Sequence, residues 1–210
     1  MAKPARVPRA SRDLAVATVL ALVSGVTCYF IFDVDSVASW LLGIPFAVAA
    51  CVAAFVAWRP DPIRLIAAAV VIALAWDLAY WMVQESVDPI GEAIRFVADS
   101  DAREQLGIAL AFNAGSLIGG ALSLLALGLA AGRFMAARFW LLALAGAGLV
   151  CFAAVYVVAG AAMKSAIFLF LFPAWQIVIL FTALWGATMR ATDAAPTGRR
   201  APQVLPPPRP

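Results

Sequence analysis

Six long apolar segments alternate with short polar or proline-containing connections along the chain. A transmembrane helix needs roughly 20 apolar residues to cross about 30 Å of hydrocarbon. These segments are apolar on all sides, whereas a helix of a soluble protein keeps a polar face towards water. The sequence therefore predicts an all-α, polytopic membrane bundle of six transmembrane helices, with spans at about residues 14–32, 37–57, 63–83, 105–131, 138–160 and 165–189.

The connection between the third and fourth spans is the one sizeable loop. Asp88 and Pro89 are typical of a helix N-cap followed by a first-turn proline. An apolar stripe then recurs at helical spacing, formed by Ile90, Ile94 and Val97. These features predict a short interfacial helix over residues 89–98 in this third, outer loop.

The same loop carries half of the acidic residues of the chain. Asp101, followed three residues later by Glu104, resembles a capping box and predicts the start of the fourth helix. The carboxylates could bind a divalent cation, but they have no ligand spacing, so a solvated acidic face is the preferred interpretation. No metal site and no cofactor are predicted.

Basic residues predict the orientation, because they favour the cytoplasmic side of a membrane. Twelve of the 15 lysines and arginines fall on one side of the predicted bundle. The other side has only Arg95, Arg103 and Lys164. With six crossings, both termini are then cytoplasmic, and we interpret the chain as a multi-pass protein of the bacterial inner (cytoplasmic) membrane.

The two ends of the chain are predicted to be tails outside the membrane. Residues 1–12 contain four basic residues and two prolines without apolar periodicity, which indicates a disordered basic tail. Residues 191–210 are rich in proline and arginine and are interpreted in the same way. Residues 13–190 form the predicted transmembrane domain.

Composition supports a membrane protein and narrows the partners. The chain is 65% hydrophobic and 13% charged, against about 45–50% and about 25% in a typical soluble domain. The basic residues lie at helix ends rather than along one folded face, so nucleic acid is not an expected partner. The three cysteines lie in apolar segments without metal-ligand spacing and are interpreted as packing residues.

The chain contains no histidine. Histidine is the usual haem ligand and neutral-pH acid or base, so histidine-dependent haem binding and hydrolysis are excluded. No P-loop, nucleophile-elbow or zinc-protease motif is present either. An enzyme remains possible through carboxylates or lysine, but a non-catalytic role is the preferred interpretation.

Asp77 is the only charged residue well inside a predicted span. A carboxylate at membrane depth costs about 2.5–3.5 kcal/mol, so it is usually paired, inward-facing and functional. The alternative is a structural residue shallow enough to reach water near the outer end of its helix. We expect Asp77 to face the bundle interior and to accept a hydrogen bond from Asn113 at similar depth.

Further polar residues lie in other spans and could complete a site. Amides in a bundle most often bond to neighbouring helices as structural contacts. Together with Asp77 they could instead line a polar cavity open to the outside, and these substrate-binding candidates are Asn113, Gln176, Tyr80 and Thr27.

The fourth span has glycines at GxxxG spacing, Gly115 with Gly119 and Gly128 with Gly132. This spacing permits close helix approach, and its common use is packing within a bundle. Oligomerisation through these glycines is the minor alternative.

The size, six crossings and cytoplasmic ends are similar to those of the substrate-binding subunits of energy-coupling-factor vitamin transporters, a topology that many unrelated proteins share. One function hypothesis is therefore a small-molecule binding or transport subunit with a polar site in the outer half of the bundle. The other is a non-catalytic subunit or assembly factor that holds other membrane subunits. An inward-facing Asp77 that lines a cavity favours the first hypothesis.

Overall fold

The computed structural model describes residues 9–32, 39–132, 134–159 and 166–193, and within these it contains six α-helices and no strand. Each helix is long and apolar enough to cross a membrane, so the predicted all-helical membrane bundle is confirmed. Each predicted span falls on one of the helices α1 (Arg9–Phe32), α2 (Ser39–Trp58), α3 (Pro62–Ala93), α4 (Ser100–Ala131), α5 (Ala137–Ala159) and α6 (Ala166–Asp193).

The helices form a closed ring in chain order, because each packs against its neighbours in sequence and α1 packs against α6. Across the ring, the described residues make contacts only among α2, α4 and α6. These three helices are also the most buried, whereas α3 is the most exposed. The bundle is therefore an inner triangle of even-numbered helices with the odd-numbered helices packed around it.

Small residues bring adjacent helices close together, as van der Waals packing in a membrane requires. A Cβ atom on Gly25 of α1 would lie 2.4 Å from the backbone of Pro173 in α6. A Cβ on Gly115 of α4 would lie 2.7 Å from the carbonyl oxygen of Ala79 in α3. The GxxxG glycine at position 115 is thus used for packing within the bundle.

Helices α3 and α4 are much longer than the membrane requires. Each has 32 residues, or about 48 Å at 1.5 Å per residue, against about 30 Å of hydrocarbon. They form a hairpin, and its turn lies at the end of the bundle that also holds the C-terminus of α1. We call this end the hairpin end and the opposite one the termini end.

The structure does not show a separate interfacial helix over residues 89–98. Helix α3 continues through Pro89 to Ala93, and a turn follows at residues 94–96. Pro89 lacks the N–H that would bond to the carbonyl of Glu85. Glu85 is exposed, so solvent can satisfy that carbonyl and the helix need not break.

The ends of the helices also differ in detail from the sequence-based expectations. The N-cap of α4 is Asp99, whose carboxylate accepts the N–H groups of Asp101 and Ala102, rather than Asp101 itself. Helix α1 begins at Arg9, inside the predicted 1–12 tail, and α6 continues to Asp193. Residues 1–8 and 194–210 of the predicted tails lie outside the described residues.

Candidate functional site

The bundle contains a cavity of about 80 Å³ in its hairpin half, which we call the aromatic cavity. Three helices each contribute four lining residues at the spacing i, i+3, i+4 and i+7, which places them on one face over two helical turns. These faces are Trp76, Ala79, Tyr80 and Val83 of α3, Phe112, Gly115, Ser116 and Gly119 of α4, and Phe168, Leu171, Phe172 and Trp175 of α6. Phe32, Leu42 and Cys151 complete the lining.

Aromatic rings in edge-to-face contact form one wall of this cavity. The ring centroids of Trp76 and Trp175 are 5.5 Å apart, and those of Trp76 and Phe172 are 5.3 Å apart. Phe46 of α2 contacts Trp175 from behind, at 5.4 Å. Such contacts contribute about 0.5–1.5 kcal/mol per pair beyond burial. This wall therefore holds its shape without a ligand.

The opposite wall, on α4, is made of small residues. Gly115, Ser116 and Gly119 leave the space that large side chains would fill. The Ser116 hydroxyl donates to the Asn113 carbonyl oxygen of its own helix at 3.0 Å. The cavity thus exists because aromatic side chains on α3 and α6 face the small side of α4.

The surface of the aromatic cavity is almost entirely carbon. The indole nitrogens of Trp76 and Trp175 are covered by neighbouring atoms, and neither has a hydrogen-bond partner among the described residues. Among the described residues, no charged side chain lines the cavity. This environment suits an apolar ligand and disfavours an ion.

Gln176 is fully buried but lies next to the cavity rather than in its lining. Its Nε2 donates to Cys28 Sγ at 3.3 Å, and the Cys28 thiol donates to the carbonyl oxygen of Leu42 at 3.1 Å. The Ser24 hydroxyl donates to Gln176 Oε1. We call this set the polar seam, and it ties α6 to α1 and α2.

Asn113 is half-buried between α4 and α5. Its Nδ2 donates to the carbonyl oxygen of Gly148 at 2.9 Å. A Cβ on Gly148 would lie 3.1 Å from that nitrogen, so the glycine leaves room for the amide. The amide thus points towards α5 and joins two helices, as amides in bundles commonly do.

Asp77 lies on the side of α3 that faces away from α4. Ala75 and Ala79 face α4, where they approach Gly119 and Gly115. Two residues correspond to about 200° around a helix, so Asp77 is nearly opposite both. It lines an outward-open groove of about 530 Å³ on α3. The structure thus does not place Asp77 on the α4-facing side of α3 beside Asn113, contrary to the expectation from sequence.

Thr27 and Tyr80, the last two candidates, lie in different parts of the bundle. Thr27 is exposed, and its hydroxyl donates to the carbonyl oxygen of Val23 in its own helix at 2.9 Å. Tyr80 lines both the aromatic cavity and the outward groove that contains Asp77. Of the five candidates, only Tyr80 contributes to the aromatic cavity, and the structure does not bring the five into one polar site.

Sequence reasoning missed the residues that form the cavity wall, above all Trp76, Phe172 and Trp175. A signal was present, because Phe168, Phe172 and Trp175 follow one another at helical spacing around the proline of the sixth span. Aromatic residues at this spacing are also usual in packed cores. The cavity beside these rings depends on which face of α4 packs against them. The spacing of residues within α6 does not show which face that is.

Comparison of the chain with known proteins finds no matching family model, no matching curated protein and no matching solved structure. The topological similarity to energy-coupling-factor substrate-binding subunits stays a prediction. Six apolar membrane-spanning helices indicate an integral membrane protein, and the aromatic cavity is the feature from which a function can be argued.

Proposed function

We propose that this protein binds a small apolar ligand, or the apolar end of a larger one, in the aromatic cavity. The observation that carries the proposal is a half-open, carbon-lined space of about 80 Å³ between the helices of the bundle. Protein interiors rarely leave voids larger than a water molecule. An apolar cavity stays dry and accepts apolar guests, so its contents would come from the membrane phase.

The position of the cavity fits entry from the bilayer. Its α3 lining, Trp76 to Val83, lies about 21–32 Å from the start of that helix at 1.5 Å per residue. Tyr80 separates the cavity from the outward-open groove on the same helix. Rotation of this one side chain would join the two spaces and admit a molecule dissolved in the hydrocarbon.

The proposed role is binding rather than ion-coupled transport. The described lining offers no carboxylate, and the polar candidates Asn113 and Gln176 are engaged with neighbouring helices. A cation or proton would have to be desolvated without compensation in this cavity. The proposal thus keeps the predicted location of the site in the hairpin half of the bundle and replaces its predicted polar character.

The experiment compares two serine or threonine substitutions to leucine. Ser116→Leu adds a larger side chain inside the cavity, whereas Thr27→Leu makes a similar change on the exposed side of α1. Each variant would be extracted from its native membrane in mild detergent and analysed by mass spectrometry. We expect an apolar molecule to accompany the parent and Thr27→Leu, and at least tenfold less of it to accompany Ser116→Leu.

Two outcomes would contradict the proposal. Equal amounts of the co-purifying molecule in Ser116→Leu and the parent would place its site elsewhere. A parent that carries no small molecule, and that takes up no added benzene in a titration followed by thermal unfolding, would leave the cavity without a ligand. Normal detergent elution of Ser116→Leu controls for its folding.

We also propose that the hairpin end lies on the outer, non-cytoplasmic side of a bacterial inner membrane, with both termini cytoplasmic. The support is the unequal division of basic residues, since cytoplasmic ends carry the excess. A reporter fused after Arg200 should behave as cytoplasmic, and one inserted at Ser100 as external. The reverse pattern would overturn this orientation without affecting the cavity.

A second candidate function is a subunit that holds another membrane protein, and one observation favours it. Phe96, in the turn of the α3–α4 hairpin, is 80% exposed, although Ile94 two residues earlier is buried. A photo-crosslinking residue at position 96 should capture a partner protein, and the same residue at Glu92 serves as the control. Crosslinks only to lipid, or equal protein crosslinks at both positions, would contradict this role.

A further inference from the structure

An outward-open groove of about 460 Å³ lies at the termini end of the bundle, between the start of α3 and the end of α4. We call it the Arg64 groove. Its α3 side repeats the two-turn spacing of the aromatic cavity and consists of Arg64, Ala67, Ala68 and Val71. Its other side includes Leu129, Gly132 and Phe134. The groove is separate from the proposed ligand site and shares no residue with it.

The groove has a cation at one end and an apolar floor. Arg64 is exposed and is the only charged residue in the described lining. Its guanidinium lies above Gly132, where an added Cβ would be 2.8 Å from Nη1. The nearby Asp61 is the N-cap of α3, and its carboxylate accepts a hydrogen bond from the Ile63 N–H at 2.8 Å. The charge therefore faces the groove with no acidic lining residue beside it.

The other wall is compatible with an anion near Arg64. The C-terminus of a helix has unpaired carbonyl groups that repel anions. Here the N–H of Gly132 bonds to the carbonyl oxygens of Gly128 and Leu129, which satisfies two of them. Small residues, Ala67 on α3 and Gly128 on α4, then keep the space beyond the guanidinium open.

The dimensions match one leaflet of a bilayer. From Arg64 to Val71 is seven residues, or about 10 Å along the helix, which fits within the roughly 15 Å of hydrocarbon that one leaflet supplies. Val71 also begins the outward groove that continues towards Trp81. An acyl chain that starts at Arg64 would thus lie along apolar side chains as far as Val71.

We propose that the Arg64 groove binds an anionic phospholipid, with its phosphate on Arg64 and an acyl chain along α3 and α4. Arginine pairs with phosphate through two parallel N–H donors. Basic pockets between transmembrane helices at the headgroup level are suited to acidic lipids. The apolar floor selects a lipid over a free phosphate ion, which could use only the guanidinium.

The experiment is native mass spectrometry of the full-length protein with equal amounts of phosphatidylglycerol and phosphatidylcholine that carry the same acyl chains. We expect the parent to prefer phosphatidylglycerol about fivefold, the ratio that one cation near the surface supplies. Arg64→Gln should reduce this ratio to about one. Arg138→Gln should retain it, because Arg138 is an exposed arginine at the same end whose guanidinium lies over the Phe139 ring, outside the groove.

A further variant tests the acyl-chain part of the site. Ala67 is exposed and lines the groove, so Ala67→Trp should fill it without disturbing the core and should weaken binding of both lipids. An unchanged ratio in Arg64→Gln would overturn the proposal, as would an equal loss in Arg138→Gln. Displacement of phosphatidylglycerol by excess inorganic phosphate would also overturn it, because the chain would then contribute nothing.

Discussion

Two adjacent residues of α6 face regions of opposite character. Gln176 belongs to the polar seam, where its amide and the side chains of Ser24 and Cys28 have hydrogen-bond partners. Trp175 lines the aromatic cavity, where space is left and the indole nitrogen has no partner among the described residues. The seam is filled and satisfied, whereas the cavity is not. The difference indicates that buried polar residues can serve helix packing, while apolar residues line the proposed binding site.

The physical reason lies in how closely the helices approach. At the seam, α1 and α6 meet at Gly25 and Pro173 with no room for a methyl group, so a ligand cannot enter. At the cavity, the aromatic side chains of α6 face the small residues of α4 across open space, although α3 and α4 approach each other closely at Gly115 and Gly119. Stability should therefore respond to changes at the seam, and ligand occupancy to changes in the cavity.

The largest effect is expected where the helices are closest. Gly25→Ala places a methyl group 2.4 Å from the Pro173 backbone, so α1 and α6 must separate at a cost of about 3 kcal/mol or more. We expect much less folded protein in detergent chromatography and a lower unfolding temperature. Gly91→Ala is the matched control, because nothing lies within 4 Å of its added Cβ. Equal behaviour of the two variants would contradict the close approach at the seam.

Replacing the seam amide should have an intermediate effect on stability. Gln176→Leu keeps the volume but removes the bonds to Ser24 and Cys28, and interhelical hydrogen bonds in membranes contribute about 0.6–2 kcal/mol. We expect a lower unfolding temperature with unchanged occupancy of the aromatic cavity, measured by thermal unfolding and mass spectrometry of the same sample. If Gln176→Leu loses the ligand but keeps the parental unfolding temperature, Gln176 contributes to ligand binding rather than to helix packing.

A smaller change inside the cavity should lower ligand occupancy and leave stability nearly unchanged. Gly119→Ala adds a methyl group 3.1 Å from the Ala79 Cβ and 3.8 Å from Cζ2 of Trp175, which reduces the space and requires α3 to shift by a few tenths of an ångström. We expect ligand occupancy to fall severalfold, but less than in Ser116→Leu, while the unfolding temperature changes little. Gly107→Ala, whose added Cβ would make only ordinary contacts of 3.8–3.9 Å, should leave both quantities unchanged. If both alanine variants retain parental occupancy, the cavity is not the site.

The smallest effect is expected at Asp77. This residue lies outside the cavity lining, on the α3 face opposite α4, so Asp77→Asn should leave cavity occupancy at the parental level. Quantitative mass spectrometry of the co-purifying molecule would measure this. A clear reduction in occupancy would show that the carboxylate contributes to the site after all.

The fold was predictable from the sequence because length and apolar character determine transmembrane helices directly. The proline-containing connection between the second and third spans, with Pro60 and Pro62, does separate α2 from α3. The exception was Pro89, which predicted a boundary where α3 continues. A proline removes one backbone hydrogen bond from a helix, and near an exposed helix end water can replace that bond. Whether a proline ends a helix therefore depends on how exposed its position is, which the sequence does not show.

The site was much less predictable, because the usual rule for helix orientation fails in lipid. In water an apolar stripe marks the buried face, but in a membrane the lipid-facing and core-facing sides are both apolar. Polarity alone therefore does not show which way a side chain faces: Asp77 lines an outward-open groove, and Thr27 is exposed. The small residues of α4 gave the correct signal, since Gly115 and Gly119 do lie at the packed face.

The most direct test of an apolar ligand site is the location of a probe atom in the protein itself. Xenon enters dry cavities lined by carbon, so a crystal of the full-length protein exposed to xenon gas should show a peak among Trp76, Phe172 and Trp175. The same peak should be absent in Ser116→Leu and present in Thr27→Leu. A parent crystal without xenon at this position, or one in which side chains have closed the space between α4 and α6, would contradict the account.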